Sequence, residues 1–88
     1  MNNTQINLRK EILESLCNVG AYIDDNLIEK DTDLDISEFI SDSLMFVSFI
    51  VELEERLDIE FPDELLSIEA LTSLNGFISL VDEMFSTR

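Results

Sequence analysis

The chain has 88 residues, of which 20 are Asp or Glu and five are Lys or Arg, so its formal net charge is −15 at pH 7. This charge argues strongly against nucleic-acid binding, which relies on Lys and Arg to neutralise phosphates, and it favours partners with basic surfaces. The apolar fraction of 45% indicates a folded rather than a disordered chain, and the length predicts one domain over residues 1–88.

Cysteine usage and hydropathy bear on the compartment. Cys17 is the single cysteine, so an internal disulfide is excluded and a reducing compartment is indicated. The N-terminal residues lead into a charged segment rather than into an apolar run of signal-peptide or membrane-span type. We therefore expect a soluble, cytoplasmic monomer, with Cys17 acting as a small core residue.

The first predicted helix is capped by Asn3 or Thr4 and runs to about Cys17 or Val19. Helical periodicity defines its apolar face, which consists of Leu8, Ile12, Leu13, Leu16 and Val19. The charged residues between them are expected to form its solvated side; they are Arg9, Lys10, Glu11 and Glu14.

A long connection, residues 18–42, follows. Gly20 is predicted to stop the first helix, residues 24–26 and 31–33 are predicted turns, and residues 37–40 are expected to form a short helical turn. Loops of this length in a compact domain are usually functional or held by side-chain anchors. The candidate anchors are Tyr22, Ile23, Leu27, Ile28, Leu34, Ile36, Phe39 and Ile40.

Asp31, Asp33 and Asp35 alternate as in a calcium-binding loop. An EF-hand needs Gly at the sixth position and Glu at the twelfth, where this chain has Ile36 and Asp42. We therefore interpret the segment as a solvated acidic loop and predict no metal site.

Ser43 stands at the start of the second predicted helix, residues 43–57, because Ser and Asp are preferred caps and an apolar periodic segment follows. Its predicted core stripe is Phe46, Phe49, Ile50, Leu53 and Leu57. The opposite face mixes apolar and polar residues: Leu44, Ser48, Val51 and Glu55. A chain this short cannot bury a helix on every side, so the mixed face predicts contact with a partner.

The third predicted helix is short and starts with Pro62 at its first position, after an extended connector in which Ile59 and Phe61 point inward. Its apolar residues are Leu65, Leu66, Ile68 and Leu71.

Thr72 or Ser73 is predicted to cap a fourth helix, whose apolar positions are Leu74, Phe77, Ile78, Val81, Met84 and Phe85. Gly76 within it hints at close packing. The predicted fold class is all-α, a four-helix bundle with a long first loop and a short third helix.

Catalysis by the chain itself is not expected, and no catalytic residue is predicted. The sequence has no His, so only a Lys or a carboxylate could activate a serine. Lys10 and Lys30 have no recognisable partner motif, and no zinc set, phosphate loop or dinucleotide fingerprint is present.

Three segments together resemble the acyl and peptidyl carrier protein family. They are Asp42-Ser43-Leu44, the helix end Glu52-Leu53-Glu54-Glu55, and the turn Ile59-Glu60-Phe61-Pro62-Asp63-Glu64. In that family the serine that matches Ser43 is esterified by a 4′-phosphopantetheinyl arm from coenzyme A, and the terminal thiol of the arm holds the cargo as a thioester. The resemblance also implies a long first loop that is pinned to the bundle and leads to this serine.

The resemblance implies three kinds of partner: a phosphopantetheinyl transferase, an acyl- or aminoacyl-loading ligase, and downstream biosynthetic enzymes with basic or apolar docking surfaces. Asp42 and Leu44 would flank the attachment site. The predicted recognition face consists of Met45, Val47, Ser48, Val51 and Glu55.

The sequence departs from the family at three positions. Ile40 stands where many members have Gly, and Met45 and Ser48 stand where fatty-acid carriers often have acids. We therefore predict a free-standing carrier of a specialised biosynthetic pathway. A carrier of fatty-acid synthesis is one alternative. An unmodified acidic adaptor, whose second helix binds a partner groove and in which Ser43 is only a helix cap, is an alternative of another class.

Overall fold

The computed structural model describes residues 7–29 and 32–86, and these form a helical fold. The α-helices are α1 (Leu8–Asn18), α2 (Asp25–Glu29), α3 (Ser43–Leu57) and α4 (Leu74–Ser86). Short 3₁₀ helices span Ile36–Phe39, Asp63–Leu65 and Ile68–Leu71. No β-strand occurs within the described ranges, and the predicted all-α fold with a long first loop is confirmed. Over the same ranges, no helix combines the length and the apolar character needed to cross a membrane.

Helix α1 is bounded by a polar cap and a glycine. The Asn7 side chain accepts a hydrogen bond from the Lys10 N–H at 3.1 Å, which satisfies one of the unpaired donors of the first turn. The predicted caps Asn3 and Thr4 lie outside the described residues. Gly20 adopts a φ of 114°, a conformation that glycine reaches without steric cost, and it ends the helix as predicted.

The core lies where α1 packs against α3 and α4. Among the side chains that the structure describes, fifteen apolar ones are buried in it: Leu8, Ile12, Leu13, Leu16, Ile23, Ile36, Phe49, Ile50, Leu53, Leu57, Phe61, Leu71, Leu74, Phe77 and Val81. Phe77 is central, because its ring centroid lies 5.8 Å from that of Phe61 and 6.1 Å from that of Phe49. Cys17 is half-buried against this core, which confirms its predicted packing role.

Arg9 was predicted to be solvated, and this is wrong, because the residue is only 9% exposed. Its guanidinium donates to the backbone carbonyl oxygens of Leu27 at 2.7 Å and Thr32 at 2.9 Å. These bonds replace the water lost on burial. Arg9 therefore ties α1 to two points of the long first loop. The rest of the predicted charged side of α1 stays partly or fully exposed.

Asp33 ties the same loop to the beginning of α4. Its carboxylate accepts hydrogen bonds from the Ser73 hydroxyl at 2.8 Å and from the Asn75 N–H at 2.9 Å. Beside it, the Leu74 N–H donates to the Leu34 carbonyl oxygen at 2.7 Å. The long loop is thus fixed by specific backbone contacts as well as by apolar anchors.

The predicted apolar anchors differ in burial. Ile23 and Ile36 are buried, and four others are half-buried against the core: Leu27, Leu34, Phe39 and Ile40. Tyr22 is 84% exposed, so its predicted anchoring role is wrong. The side chain of Ile28 lies outside the described part of the chain, as do Lys30 and Asp31.

The predicted short third helix consists of two 3₁₀ turns. Pro62 precedes the first turn with an extended ψ of 146° instead of occupying a helical position. Ser67 interrupts the segment, because its side chain caps the second turn by accepting from the Glu69 N–H at 3.1 Å. Such caps favour separate short turns over one continuous helix. Leu71 is buried as predicted, whereas Ile68 is 45% exposed.

Helix α4 begins as the sequence predicts. The Ser73 hydroxyl oxygen accepts from the Gly76 N–H at 3.1 Å, so Ser73 is the cap. A Cβ at Gly76 would contact only Ser73, at 3.4 and 3.5 Å. The close packing that Gly76 suggested is therefore absent. The side chain of Phe85 lies outside the described part.

Candidate functional site

Ser43 is the first residue of α3, and Asp42 is its cap. The Asp42 carboxylate accepts a hydrogen bond from the Met45 N–H at 2.8 Å, and its carbonyl oxygen accepts from the Phe46 N–H at 3.1 Å. The helix start was predicted correctly, but the interpretation of Ser43 as the cap is wrong. Because the neighbouring carboxylate does the capping, the Ser43 hydroxyl is not needed to hold the helix.

The chain approaches Ser43 through a tightly turned segment. Asp35 caps the 3₁₀ helix Ile36–Phe39 by accepting from both the N–H and the hydroxyl of Ser37. The N–H and the hydroxyl of Ser41 then lie 3.4 Å from the Met45 sulfur, as weak hydrogen bonds to a thioether. The residues at the junction, 41–44, are exposed. Side-chain hydrogen bonds therefore hold the approach, and Ser43 at its end is an exposed residue.

The start of α3 suits a phosphodiester on Ser43. The N–H groups in the first turn of a helix have no intrahelical acceptor, and the helix dipole is positive there. The first turn of α3 contains no acidic residue, and the capping Asp42 carboxylate takes up one of its N–H groups, that of Met45. A phosphate on Ser43 would therefore be stabilised by its position. The residues present fit the 4′-phosphopantetheinyl group that the resemblance implies.

Two concave surfaces lie beside Ser43. A hollow of about 330 Å³ is lined by Ile40, Ser41, Asp42, Ser43, Phe46 and Ile68. A larger groove of about 630 Å³ runs between α3 and residues 60–66. Phe46 lines both, so the two surfaces are neighbours. Both are open to solvent and lie on the side of α3 that faces the short 3₁₀ helices.

The predicted recognition face is exposed over most of its length. Leu44, Val47 and Val51 are exposed to 75%, 54% and 45%, which is unusual for large apolar side chains on one helix. Ser48 and Glu55 are exposed as well, whereas Met45 is half-buried. Ser43 and the exposed residues thus occupy one end and one side of the same helix. The opposite side of α3 carries the predicted core stripe, with Phe46 half-buried and the rest buried.

Ile68, Glu60 and Asp63 complete the surroundings of Ser43 and α3, although they were not predicted to do so. Ile68 lines the hollow, and both acids line the groove. The alternation in residues 58–61 did indicate an outward Glu60, with Ile59 and Phe61 turned inward as observed. The exposure of Ile68 carried no sequence signal, because it depends on Ser67 starting a new turn.

Two of the three alternating aspartates of the first loop, Asp33 and Asp35, have structural roles. Asp33 binds the beginning of α4, and Asp35 caps a 3₁₀ helix. Within the described ranges, no group of three or more His, Cys, Asp or Glu side chains is arranged to hold a metal ion.

Comparison with known proteins identifies the family. The sequence matches the family described as phosphopantetheine attachment site over residues 10–81, which contain Ser43, all of α3 and both concave surfaces. No curated protein and no solved structure matches the chain significantly. Domains of this family are in general non-catalytic carriers that act with phosphopantetheinyl transferases and biosynthetic enzymes. The chain therefore belongs to the phosphopantetheine attachment site family, as an acyl or peptidyl carrier protein whose cofactor is covalently bound 4′-phosphopantetheine.

Proposed function

We propose that Ser43 is the attachment site and that the protein carries an acyl or aminoacyl group, as a thioester on the arm, between enzymes of a specialised biosynthetic pathway. The observation that carries this proposal is the position of Ser43: it is exposed, it is the first residue of α3, and it is relieved of capping by Asp42. The hydroxyl is accessible, and the positive end of the helix stabilises the product.

The attachment reaction requires an enzyme partner. The Ser43 Oγ forms a bond to the phosphorus of coenzyme A that carries the pantetheine chain, the bond from that phosphorus to the adenosine bisphosphate breaks, and the hydroxyl proton passes to a base. The chain has no His, and the Asp42 carboxylate already accepts from the Met45 N–H. The base is therefore supplied by the transferase, and the carrier is a substrate rather than a catalyst.

The recognition face is proposed to dock the partners. No charged residue occurs between Ser43 and Val51, and Leu44, Val47 and Val51 are exposed there. An uncharged, largely apolar first half of the docking helix favours a specialised pathway over fatty-acid synthesis, whose carriers often have acids at the positions of Met45 and Ser48. Asp42 and Glu55, both exposed, frame the face and would meet basic side chains of a partner.

Intact-mass spectrometry tests the attachment site. The folded protein is incubated with coenzyme A and a broad-specificity phosphopantetheinyl transferase, and we expect the addition of one phosphopantetheinyl group. Ser43→Ala should abolish the addition. Ser48→Ala, which removes an exposed hydroxyl from the same helix, should leave it unchanged. An unmodified wild-type protein that is folded by circular dichroism would favour the acidic adaptor instead.

A further inference from the structure

The groove beside α3 combines apolar walls with carboxylates. Its apolar part includes Phe46, Val47, Ile50 and Val51 from α3, with Phe61, Pro62 and Leu66 facing them. The acids that line it are Glu54, Glu60 and Asp63, and no Lys or Arg is among its described lining residues. A groove with this lining binds an apolar group best when that group ends in a positive charge.

The groove follows the side of α3 on which Ser43 lies. At about 100° per residue, its five α3 residues fall within about 80° to either side of Ser43. With a rise of 1.5 Å per residue, they lie from about 5 Å to about 16 Å along the axis, and Glu54 is the farthest. A flexible arm that starts at Ser43 and runs along α3 therefore meets the apolar α3 residues of the groove before it meets Glu54.

The three carboxylates that line the groove differ in their surroundings. Glu54 is half-buried, and its Oε2 accepts from the Phe61 N–H at 2.8 Å. This bond joins the two walls of the groove and fixes one negative charge there. Glu60 and Asp63 are exposed, so their charges are hydrated and weaker individually. Together with Glu54 they make all the charged residues of the groove lining acidic.

We propose that this groove selects the cargo by charge: it retains an arm-borne acyl group that ends in an ammonium or another cation, and it repels one that ends in a carboxylate. The inference rests on the proposed attachment at Ser43 and deepens it by naming the cargo class, an aminoacyl or other amine-bearing acyl group. Glu60 and Asp63 are its specificity-determining residues.

Tethering makes weak contacts sufficient. A group on a short flexible arm reaches a neighbouring site at an effective concentration of the order of millimolar. An exposed ion pair adds only a modest gain, but for a tethered group this gain changes the occupied fraction of the groove directly. The net charge of −15 acts in the same direction, since it attracts cations and repels anions.

The test compares three cargo groups of similar length on the holo protein. A broad-specificity transferase attaches the pantetheine arm from amide-linked analogues of coenzyme A that carry an ε-aminocaproyl, a caproyl or an adipoyl group. Proton–nitrogen NMR then measures the chemical shifts of the backbone amides of Val51, Glu54 and Phe61. We expect the largest displacement of these shifts, relative to the unloaded holo protein, with ε-aminocaproyl, a smaller one with caproyl and none with adipoyl.

Matched double variants assign the effect. Glu60→Gln with Asp63→Asn should make the ε-aminocaproyl displacement roughly two to ten times smaller, as expected for the loss of two exposed ion pairs. Glu64→Gln with Glu69→Gln removes the same number of charges from exposed acids that do not line the groove and should leave the displacement unchanged. Equal reductions in both variants would show that only the overall charge matters, and this would overturn the assignment.

The remaining outcomes distinguish a failure of attachment at Ser43 from a failure of charge selection by the groove. If the mass shows no addition, attachment at Ser43 fails and the cargo inference fails with it. If all three groups attach but displace the groove amides equally, or displace only residues next to Ser43, attachment stands and charge selection is overturned.

Discussion

At the residue scale, Asp33 has a larger role than its exposed position suggests. The Asn75 N–H and the Ser73 hydroxyl donate to its carboxylate and hold the pKa of Asp33 below the ordinary value of 3.8. A carboxylate at the beginning of a helix also interacts favourably with the helix dipole. The charged form of Asp33 therefore stabilises the junction between the first loop and α4.

This interaction predicts a dependence of stability on pH. Because the folded pKa is lower than the unfolded one, the stabilisation is fully present above the unfolded value and is lost as the pH falls through the folded value. Asp33→Asn should lower the melting temperature at pH 7, and the difference from the wild type should shrink as the pH falls below 3.8. Thermal melts of both proteins, followed by circular dichroism between pH 7 and pH 2, measure this difference.

Glu64→Gln serves as the control for this prediction, because it removes one negative charge from an exposed position. Its melting temperature relative to the wild type reports the relief of charge repulsion alone. A difference between Asp33→Asn and the wild type that stays constant down to pH 2 would contradict the assigned role of the Asp33 charge.

Arg9 gives a second prediction at this scale. Arg9→Met keeps the apolar stem but leaves the carbonyl oxygens of Leu27 and Thr32 without their donor. We expect a loss of about 1–3 kcal/mol in the free energy of unfolding. Lys10→Met removes the same charge from an exposed neighbour and should change stability by less than about 0.5 kcal/mol. Urea denaturation of both variants measures the two values. Equal losses would contradict the stabilising role assigned to the hydrogen bonds of Arg9.

At the scale of one element, α3 separates a core side from an exposed side within two consecutive residues. Ile50 is 6% exposed, and Val51 is 45% exposed. Ile50→Asp should unfold the protein, because burying a carboxylate or losing the packing costs about 3 kcal/mol or more, out of a total of about 5–10 kcal/mol for a small domain. Val51→Asp should keep the fold, since its charge remains hydrated.

The recognition face predicts a further effect of Val51→Asp. The variant should be acylated more slowly by a cognate loading enzyme, because a charge enters the apolar part of the contact. A circular-dichroism melt beside a loading assay on the holo protein gives both results. Unfolding of Val51→Asp would place the face on the wrong side of α3, and loading at the wild-type rate would show that this partner docks elsewhere.

Local sequence signals predicted α3 and α4 well, but the segment between them only in part. The two helices carry long apolar periodicities and polar caps, which act locally. Ile68 is exposed because Ser67 caps a new 3₁₀ turn, and Arg9 is buried because two carbonyl groups in a distant loop accept its hydrogen bonds. The Ser67 cap is local, and the Arg9 bonds are tertiary contacts. Apolar periodicity records neither of them. Only the sequence motif singled out Ser43. A serine at a predicted helix start is otherwise typical of an ordinary cap.

At the scale of the whole molecule, the surplus of negative charge opposes folding. Arg56 relieves part of it, because its guanidinium lies 3.0 Å from carboxylate oxygens of both Glu11 and Glu14 and thereby joins α3 to α1. Five basic residues cannot offset 20 acids, so mutual repulsion persists at neutral pH. Stability should therefore respond to ionic strength.

Added salt is expected to raise the melting temperature by screening this repulsion. Mg²⁺ and Ca²⁺ should act similarly to each other, since the carboxylates of Asp33 and Asp35 already accept hydrogen bonds from the chain. Thermal melts in NaCl, MgCl₂ and CaCl₂ at matched ionic strength test both statements. A high-affinity effect of Ca²⁺ alone that disappears in Asp33→Ala would restore the calcium-loop interpretation.

The bonds between Asp33 and the beginning of α4 also fix an order of events during synthesis. They join Asp33 to Ser73 and Asn75, which lie 40 and 42 positions later in the sequence. Contacts of such separation form only after the later residues are available. A nascent chain that ends before Ser73 contains Ser43 but lacks the donors that hold the loop leading to it. This loop can therefore reach its final conformation only after Ser73 and Asn75 have left the ribosome, and an enzyme that requires the folded acceptor must act after that point.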